Sequence, residues 1–428
     1  MSSGSNIGDG GPNGIGDQPT DLGAWEKFQL GWLSAQGSKG PFYDVAQAGR
    51  KSVHKLGDNA QATKQSQALF VLLPDKAKQT TIVAPKSGNW AYWSGMGDNF
   101  SNTMTKSFTL AAGATLTADL WYDTEPHFDY FFVEASTDGG TTWLPIGTNL
   151  SEPASADLGS FNSSGTGIAG SSGGVYRTMT TTTPLPSGNV VIRFRYETDS
   201  NTGGKGVVID NIAITGQAVD GAETDTGWTF NGFLRIENGI ATTMHFNAYV
   251  AENRQYDGYD ASLRTAYNFG FLDSKPEWVE HFPYQNGLLI NYWDTSESNN
   301  NVGDHPGSGL ILPVDAHPTF HHHPDGHLVR PRILSFDSTF GLEATDAITI
   351  NKNSQAITIA SQPAVPVFDD TKTWWFNADQ HAATGAHVGR YQPGWYGVNV
   401  PKTGTTIRVV NDSTGAQGMY MQLEVNGK

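Results

Sequence analysis

From about residue 50 onward this chain is a succession of short apolar runs, each about one strand long, divided by Gly, Asn, Asp and Pro. QALFVLLP around Phe70, TTIVAP around Val83, NVVIRFRYETDS and GVVIDNIAITG are such runs. An amphipathic helix needs apolar positions recurring every three to four residues, and these runs do not supply that. In NVVIRFRYE the side chains alternate instead. Ile192, Phe194 and Tyr196 fall on one face, and Val191, Arg193 and Arg195 on the other. A period of two buries the first set and leaves the second wet. Asp138–Gly140 reads DGG, a hairpin turn between strands.

Residues 87–217 string several such runs together without a helix between them, from KSFTLAAGATLTADLWYD to GVVIDNIAITG. Two packed antiparallel sheets are the expected solution. Gly at 50 of 428 residues, about 12% against a usual share of about 7%, supplies the turns. Twelve Trp, 15 Tyr and 21 Phe supply aromatic cores. The tract 158–175, rich in Ser and Gly, reads as a long loop on this unit. After residue 345, DAITINKNSQAITIA, TKTWWFNA, WYGVNVPKTGTTIRVVND and MYMQLEVNG read as strands of a further sandwich. The best helix candidate is PTDLGAWEKFQLGWL. Asp21 can cap it, and Leu22, Trp25, Phe28 and Trp32 recur at helical spacing.

With 26 basic and 42 acidic residues the net charge is −16, which disfavours nucleic acid and anionic membranes as partners and suits cations. The absence of cysteine excludes disulfides, thiolate catalysis and Cys–zinc sites. No apolar run is long enough for a membrane-spanning helix, and the first residues lack the basic and apolar regions of a signal peptide.

The densest stretch chemically lies between Tyr249 and His317: YVAENRQYDGYDASL, WVEHFPYQNGLLINYWDTS and HPGSGLILPVDAHP. Glu252, Arg254 and Glu280 are of types that form buried ion pairs, and Tyr256, Trp278, Tyr284 and Trp293 supply apolar area around them. Glu252, Glu277, Glu280 and Asp294 also invite a glycosidase carboxylate pair, whose separation sequence does not give. Ser308, in HPGSGL, lacks the leading glycine of a nucleophile elbow.

This stretch resembles the region downstream of the catalytic core in immune inhibitor A-type secreted zinc metallopeptidases. In that family a helix carrying H-E-x-x-H binds zinc, and its Glu acts as base on the metal-bound water. That motif is absent from the sequence. His317 and His321 have the right spacing, but Pro318 follows the first and no Glu intervenes. The cluster His317, His321, His322, His323 and His327 has metal-binding residue types but no accompanying carboxylate array. MSSGSNIGDG resembles the family's segment just after the zinc helix, so the resemblance makes Met1 the possible Met-turn methionine. PTDLGAWEKFQLGWL resembles the helix that closes the catalytic domain. An exposed apolar surface centred on Leu22, Trp25, Phe28 and Trp32 is then expected, where a catalytic part would dock.

The expected fold is therefore mainly β and multi-domain. Residues 1–45 form a short helical remnant of a metallopeptidase domain, and 46–86 a linking β segment. A jelly-roll, MAM-like module spans 87–217, suggested by VEASTDGGTTW and GVVIDNIAI. A family-specific block covers 218–345 and a C-terminal β-sandwich 346–428. By resemblance the jelly roll holds a structural calcium, with Asp98, Asp123, Asp129 and Asp210 as candidate ligands. Asp210 could instead be satisfied by backbone N–H groups.

The resemblance implies the C-terminal region of a secreted zinc metalloendopeptidase acting on protein or peptide substrates. This region is expected to be inactive alone and to pair with a catalytic half. The competing reading is a secreted carbohydrate- or protein-binding, adhesion-type module. An exposed line of Trp on one sheet face, from Trp90, Trp93 and Trp121, would favour it.

Overall fold

A computed structural model describes residues 20–35, 39–61, 63–153, 165–264, 286–302, 304–318, 339–352, 355–376, 396–413 and 420–426. Apart from one short helix and one 3-10 turn, the regular structure among these residues is β. Two compact units divide the chain. One is continuous, 77–243; the other joins residues 1–76 to 244–428.

The continuous unit is a sandwich of two sheets. One sheet runs Arg177–Thr180, Leu116–Asp123, Gly206–Ile214, Trp90–Trp93, Leu234–Glu237, Ile240–His245, Lys76–Thr81. The other runs Thr229–Asn231, Ser101–Leu110, Gly188–Glu197, Tyr130–Ser136, Leu144–Pro145. Ile192, Phe194 and Tyr196 are fully buried between the sheets, as the alternation requires. Phe194 stacks on Phe131 with ring centroids 5.7 Å apart and lies 5.5 Å from Trp228.

The opposite face of Gly188–Glu197 is drier than its sequence implies. Glu134 from the neighbouring strand accepts from Arg193 at 2.6 Å and from Arg195 at 2.9 Å, and all but the edges of these side chains are buried. Pairing makes that burial tolerable. The DGG hairpin forms between Tyr130–Ser136 and Leu144–Pro145. Gly139 and Gly140 take positive φ there, and Asp138 accepts from the Thr141 and Thr142 N–H groups.

Among its described residues the discontinuous unit has two larger sheets, beside two two-stranded pairings, Ile348–Lys352 with Gln355–Ile359 and Trp375–Phe376 with Tyr396–Gly397. Tyr43–Gln47 pairs in parallel with Ala68–Leu72, which is followed by Asn247–Arg254, Gly287–Asp294 and Ile311–Val314, all antiparallel. Lys51–Gly57, Tyr420–Asn426, Thr406–Ser413 and Val367–Asp369 form the second sheet. Leu69, Val71, Tyr249, Leu288 and Ile290 meet Phe368, Ile407, Met421 and Leu423 in the core between them. The first sheet is covered on its other face too, where Phe70 and Val250 pack against Ala24, Trp25 and Phe28. Burial on both faces explains why ALFVL reads as a continuous apolar run rather than an alternating one.

The residue range 46–86, read from sequence as a linking β segment, contributes strands to the sheets. Its partners lie across the whole insertion: Phe70 faces Val250, and Leu56 faces Met421.

The helix is Ala24–Gln29, shorter than its periodicity suggests. Gly23, not Asp21, stands at the N-cap, and Gly31 at φ +75° follows the helix. Asp21 instead accepts from the Leu22 N–H and from Lys27 Nζ. Leu22, Trp25 and Phe28 are half-buried. Phe28 lies 4.7 Å from Phe70 and 6.1 Å from Trp293. Of the four apolar residues expected at the surface, Trp32 is the one plainly exposed, at 54%.

Candidate metal centre

At one end of the continuous sandwich, turns following strands Leu116–Asp123 and Gly188–Glu197 converge. Thr124 is pinned by its N–H to Gly170 O at 2.8 Å, and Asn99 N–H reaches Asp199 O at 2.6 Å. His127 and Thr202 adopt positive φ in these turns, and Asn99 does so in the segment before strand Ser101–Leu110. The result brings carboxylate oxygens of Glu125, Asp129 and Asp199 within 4.8 Å of one another. Asp129 is fully buried, and its flanking partners are half-buried.

Asp129 is held by weak bonds. Its Oδ1 accepts from Asp199 N–H at 3.2 Å, and its Oδ2 from Tyr196 OH at 3.4 Å and Glu125 N–H at 3.5 Å. Burial pushes its carboxyl up from 3.8 to about 6, against the backbone N–H groups, and the neighbouring charges of Asp199 and Glu125 add to the rise. Glu125 is raised by desolvation and by the charges of Asp199 and Asp98. Three carboxylates facing one another without a cation between them are electrostatically unfavourable. An oxygen-only donor set of this kind suits a hard cation such as calcium.

The four aspartates singled out from sequence fall in different places. Asp129 is in the cluster. Asp98 is exposed and acts on Glu125 through its charge. Asp123 is half-buried on the strand that leads into the cluster and lies opposite Gly206. Asp210 faces Asp119, four positions along that ladder, or about 13 Å. Its oxygens are taken by Ser87 N–H at 2.9 Å and Asn211 N–H at 2.7 Å. Asn211, at φ +51°, sits where the register shifts between Asp210 and Ala213. Glu125 and Asp199 were not singled out. Their signal was the crowding of acidic and turn residues in YDTEPHFDY and ETDSNTGG.

Zinc does not fit the described residues. Among them, no group of three His, Cys, Asp or Glu close enough to share a metal includes a histidine. His54 is held between Asp44 and Ser52. His317 Nε2–H donates to Pro363 O at 2.8 Å. Met1, His321, His322, His323, His327, Glu277 and Glu280 lie outside the described residues.

Between the two described candidates, Glu252 and Asp294, a glycosidase pair finds no support. Glu252 faces Leu289 and Asp294 faces Asn247, five ladder positions or about 17 Å apart, well beyond the roughly 5–9.5 Å such pairs need. Asp294 is ion-paired with Lys76 at 2.5 Å. Trp93 and Trp121 are buried, and Trp90 is half-buried with Arg235 stacked on its ring at 3.9 Å. They form no exposed aromatic line.

The sequence profile described as "Immune inhibitor A-like, MAM domain" matches residues 52–238, and that described as "Immune inhibitor A-like metallopeptidase, VEG domain" matches residues 242–419. Immune inhibitor A of Bacillus thuringiensis subsp. alesti is 28% identical over 368 residues, 82% of this chain and 47% of that protein. The pre-pro-metalloprotease PrtV of Vibrio cholerae serotype O1 is 26% identical over 291 residues, 66% of this chain and 29% of PrtV. The chain therefore spans less than half the length of these relatives.

Proposed function

We propose that this chain, which carries the MAM and VEG domains of immune inhibitor A-like metallopeptidases, serves as a non-catalytic, calcium-stabilised accessory region of a secreted zinc metalloendopeptidase. The observation that carries the reading is the pairing of two family-specific β domains with a sequence that has no H-E-x-x-H. In an intact enzyme of this kind, a bound zinc would supply Lewis-acid chemistry toward water and the scissile carbonyl. The residues described here contribute none of that chemistry. Their role is to support the catalytic part and the protein or peptide substrate beside it, outside the cell.

Calcium enters through Glu125, Asp129 and Asp199. These three carboxylates would hold a divalent cation, which would offset their mutual repulsion and link two turns of the sandwich. Equilibrium dialysis of the purified chain against calcium and zinc tests both halves of the proposal. Retained calcium that disappears in an E125Q/D199N variant, with no stoichiometric zinc, is the expected result. Stoichiometric zinc, or calcium retained by that variant, would refute the assignment.

A further inference from the structure

Lys27, Asn59 and Glu252 come from three separate elements and meet in one dry pocket. Lys27 lies on the helix, Asn59 follows strand Lys51–Gly57, and Glu252 is on strand Asn247–Arg254. Their residues are 6%, 0% and 1% exposed. Asn59 is fixed by its N–H to Asn253 O at 2.9 Å. Lys27 Nζ donates to the Asn59 main-chain oxygen, to Asn59 Oδ1 at 3.3 Å and to Asp21 Oδ2 at 2.6 Å. Asn59 Nδ2 donates to Glu252 Oε2 at 2.6 Å and to Leu22 O at 2.9 Å. Glu252 Oε2 also accepts the Ala24 N–H at 2.8 Å, while its Oε1 has no hydrogen-bond partner.

Each member has the chemical type needed for an acyl transfer. An amine sits beside a carboxamide carbonyl, and a carboxyl group touches the nitrogen that would leave. Held together in this way, nucleophile and carbonyl react as one molecule rather than two. Asp21 stands where it can take the ammonium proton. Glu252 Oε2 also lies 3.7 Å from Arg254 Nη1, but the buried Oε1, left without a hydrogen bond, favours the neutral acid. Burial accordingly pushes Glu252 from 4.5 up to about 7; Arg254 and the Ala24 N–H oppose the rise and Glu26 adds to it.

We infer that Lys27 and Asn59 become joined by an intramolecular isopeptide bond, with Glu252 as the proton carrier. Lys27 gives a proton to Asp21, and neutral Nζ attacks Asn59 Cγ to form the new N–C bond. Glu252 delivers its proton to Nδ2 as the Cγ–Nδ2 bond breaks and ammonia leaves. Glu252 then recovers a proton from Nζ, and ammonia carries away the one held by Asp21. The products are a secondary amide and one ammonium ion, with no oxidant or cofactor required. The bond would tie the helix directly to the turn before strand Ala68–Leu72.

Intact-mass spectrometry and a tryptic map of the purified full chain test this. The expected mass is that of the sequence less one ammonia. Trypsin, blocked at the acylated Lys27, should yield a branched peptide in which the segment ending at Lys39 carries residues 56–64. K27R and E252Q should both show the full sequence mass. A wild-type chain at full mass, with separate peptides ending at Lys27 and spanning 56–64, overturns the proposal whatever the variants do. So does ammonia loss without the branch, which would mark a succinimide at an Asn–Gly pair. Branching that persists in E252Q would remove Glu252 from the reaction.

Discussion

Asp129 sets the chemistry of the acidic turn cluster because it is the buried member of three carboxylates. Its folded-state value, about 6, lies above the ordinary 3.8. In metal-free protein the favourable, protonated state is therefore complete below about pH 4 and lost as pH rises through 6. Calcium should reverse that loss. At pH 7, adding calcium should raise the unfolding midpoint and a chelator should lower it, whereas below pH 5 both should do little. Calorimetric melts at the two pH values check this, and equal calcium responses at both would contradict the cluster's role. D129N should melt higher than wild type in chelator at pH 7 and lose the calcium response.

The same scale holds the buried trio of helix, turn and strand. A covalent link between residues 32 positions apart is worth about 4 kcal/mol by loop closure. K27R should accordingly melt well below the linked wild type. Neither Lys27 nor Asn59 stands out in the sequence. A lone Lys on a helix and a lone Asn in a turn carry no signal until the fold brings them against Glu252.

At the scale of elements, the strands are where the sequence speaks most clearly. Ile192, Phe194 and Tyr196 point inward as their alternation dictates, and the DGG turn closes its hairpin. F194A should cost about 3–5 kcal/mol, because it removes a ring packed between Phe131 and Trp228 in a site that cannot collapse freely. Urea denaturation measures it, and a cost below about 1 kcal/mol would contradict the packing described.

The helix was less legible. Trp25, Phe28 and Trp32 have helical spacing, yet glycines at 23 and 31 flank the helix and confine it to six residues. The wetness of Arg195 was misjudged for a related reason. Period two assigns a face, but only the neighbouring Glu134 reveals that this face is sealed by ion pairs.

At the scale of the whole chain, the nesting of one unit inside the other was invisible to pattern reading. A strand pattern gives no partner, and here the partners sit far apart in sequence: Asn247 Nδ2 reaches Pro74 O across 173 positions. Leu73 N–H and Asn247 O are also bonded, at 3.2 Å, so the two chain crossings run side by side. Replacing residues 77–243 with a short Gly-rich turn should therefore leave the discontinuous unit folded. Deleting 43–72 should unfold it, because Leu69 and Val71 belong to its core. Far-ultraviolet circular dichroism and cooperative melting distinguish these outcomes.

The carboxylate cluster was half legible for the same reason as the nesting. Asp129 was named by family resemblance, while Glu125 and Asp199 needed two turns brought together from positions some 70 residues apart.

The central claim is that these domains support catalysis without performing it. Casein hydrolysis by the purified chain, with zinc and calcium both supplied, tests that most directly. The account predicts no cleavage above a no-protein control. Chelator-sensitive cleavage that survives repurification would contradict it.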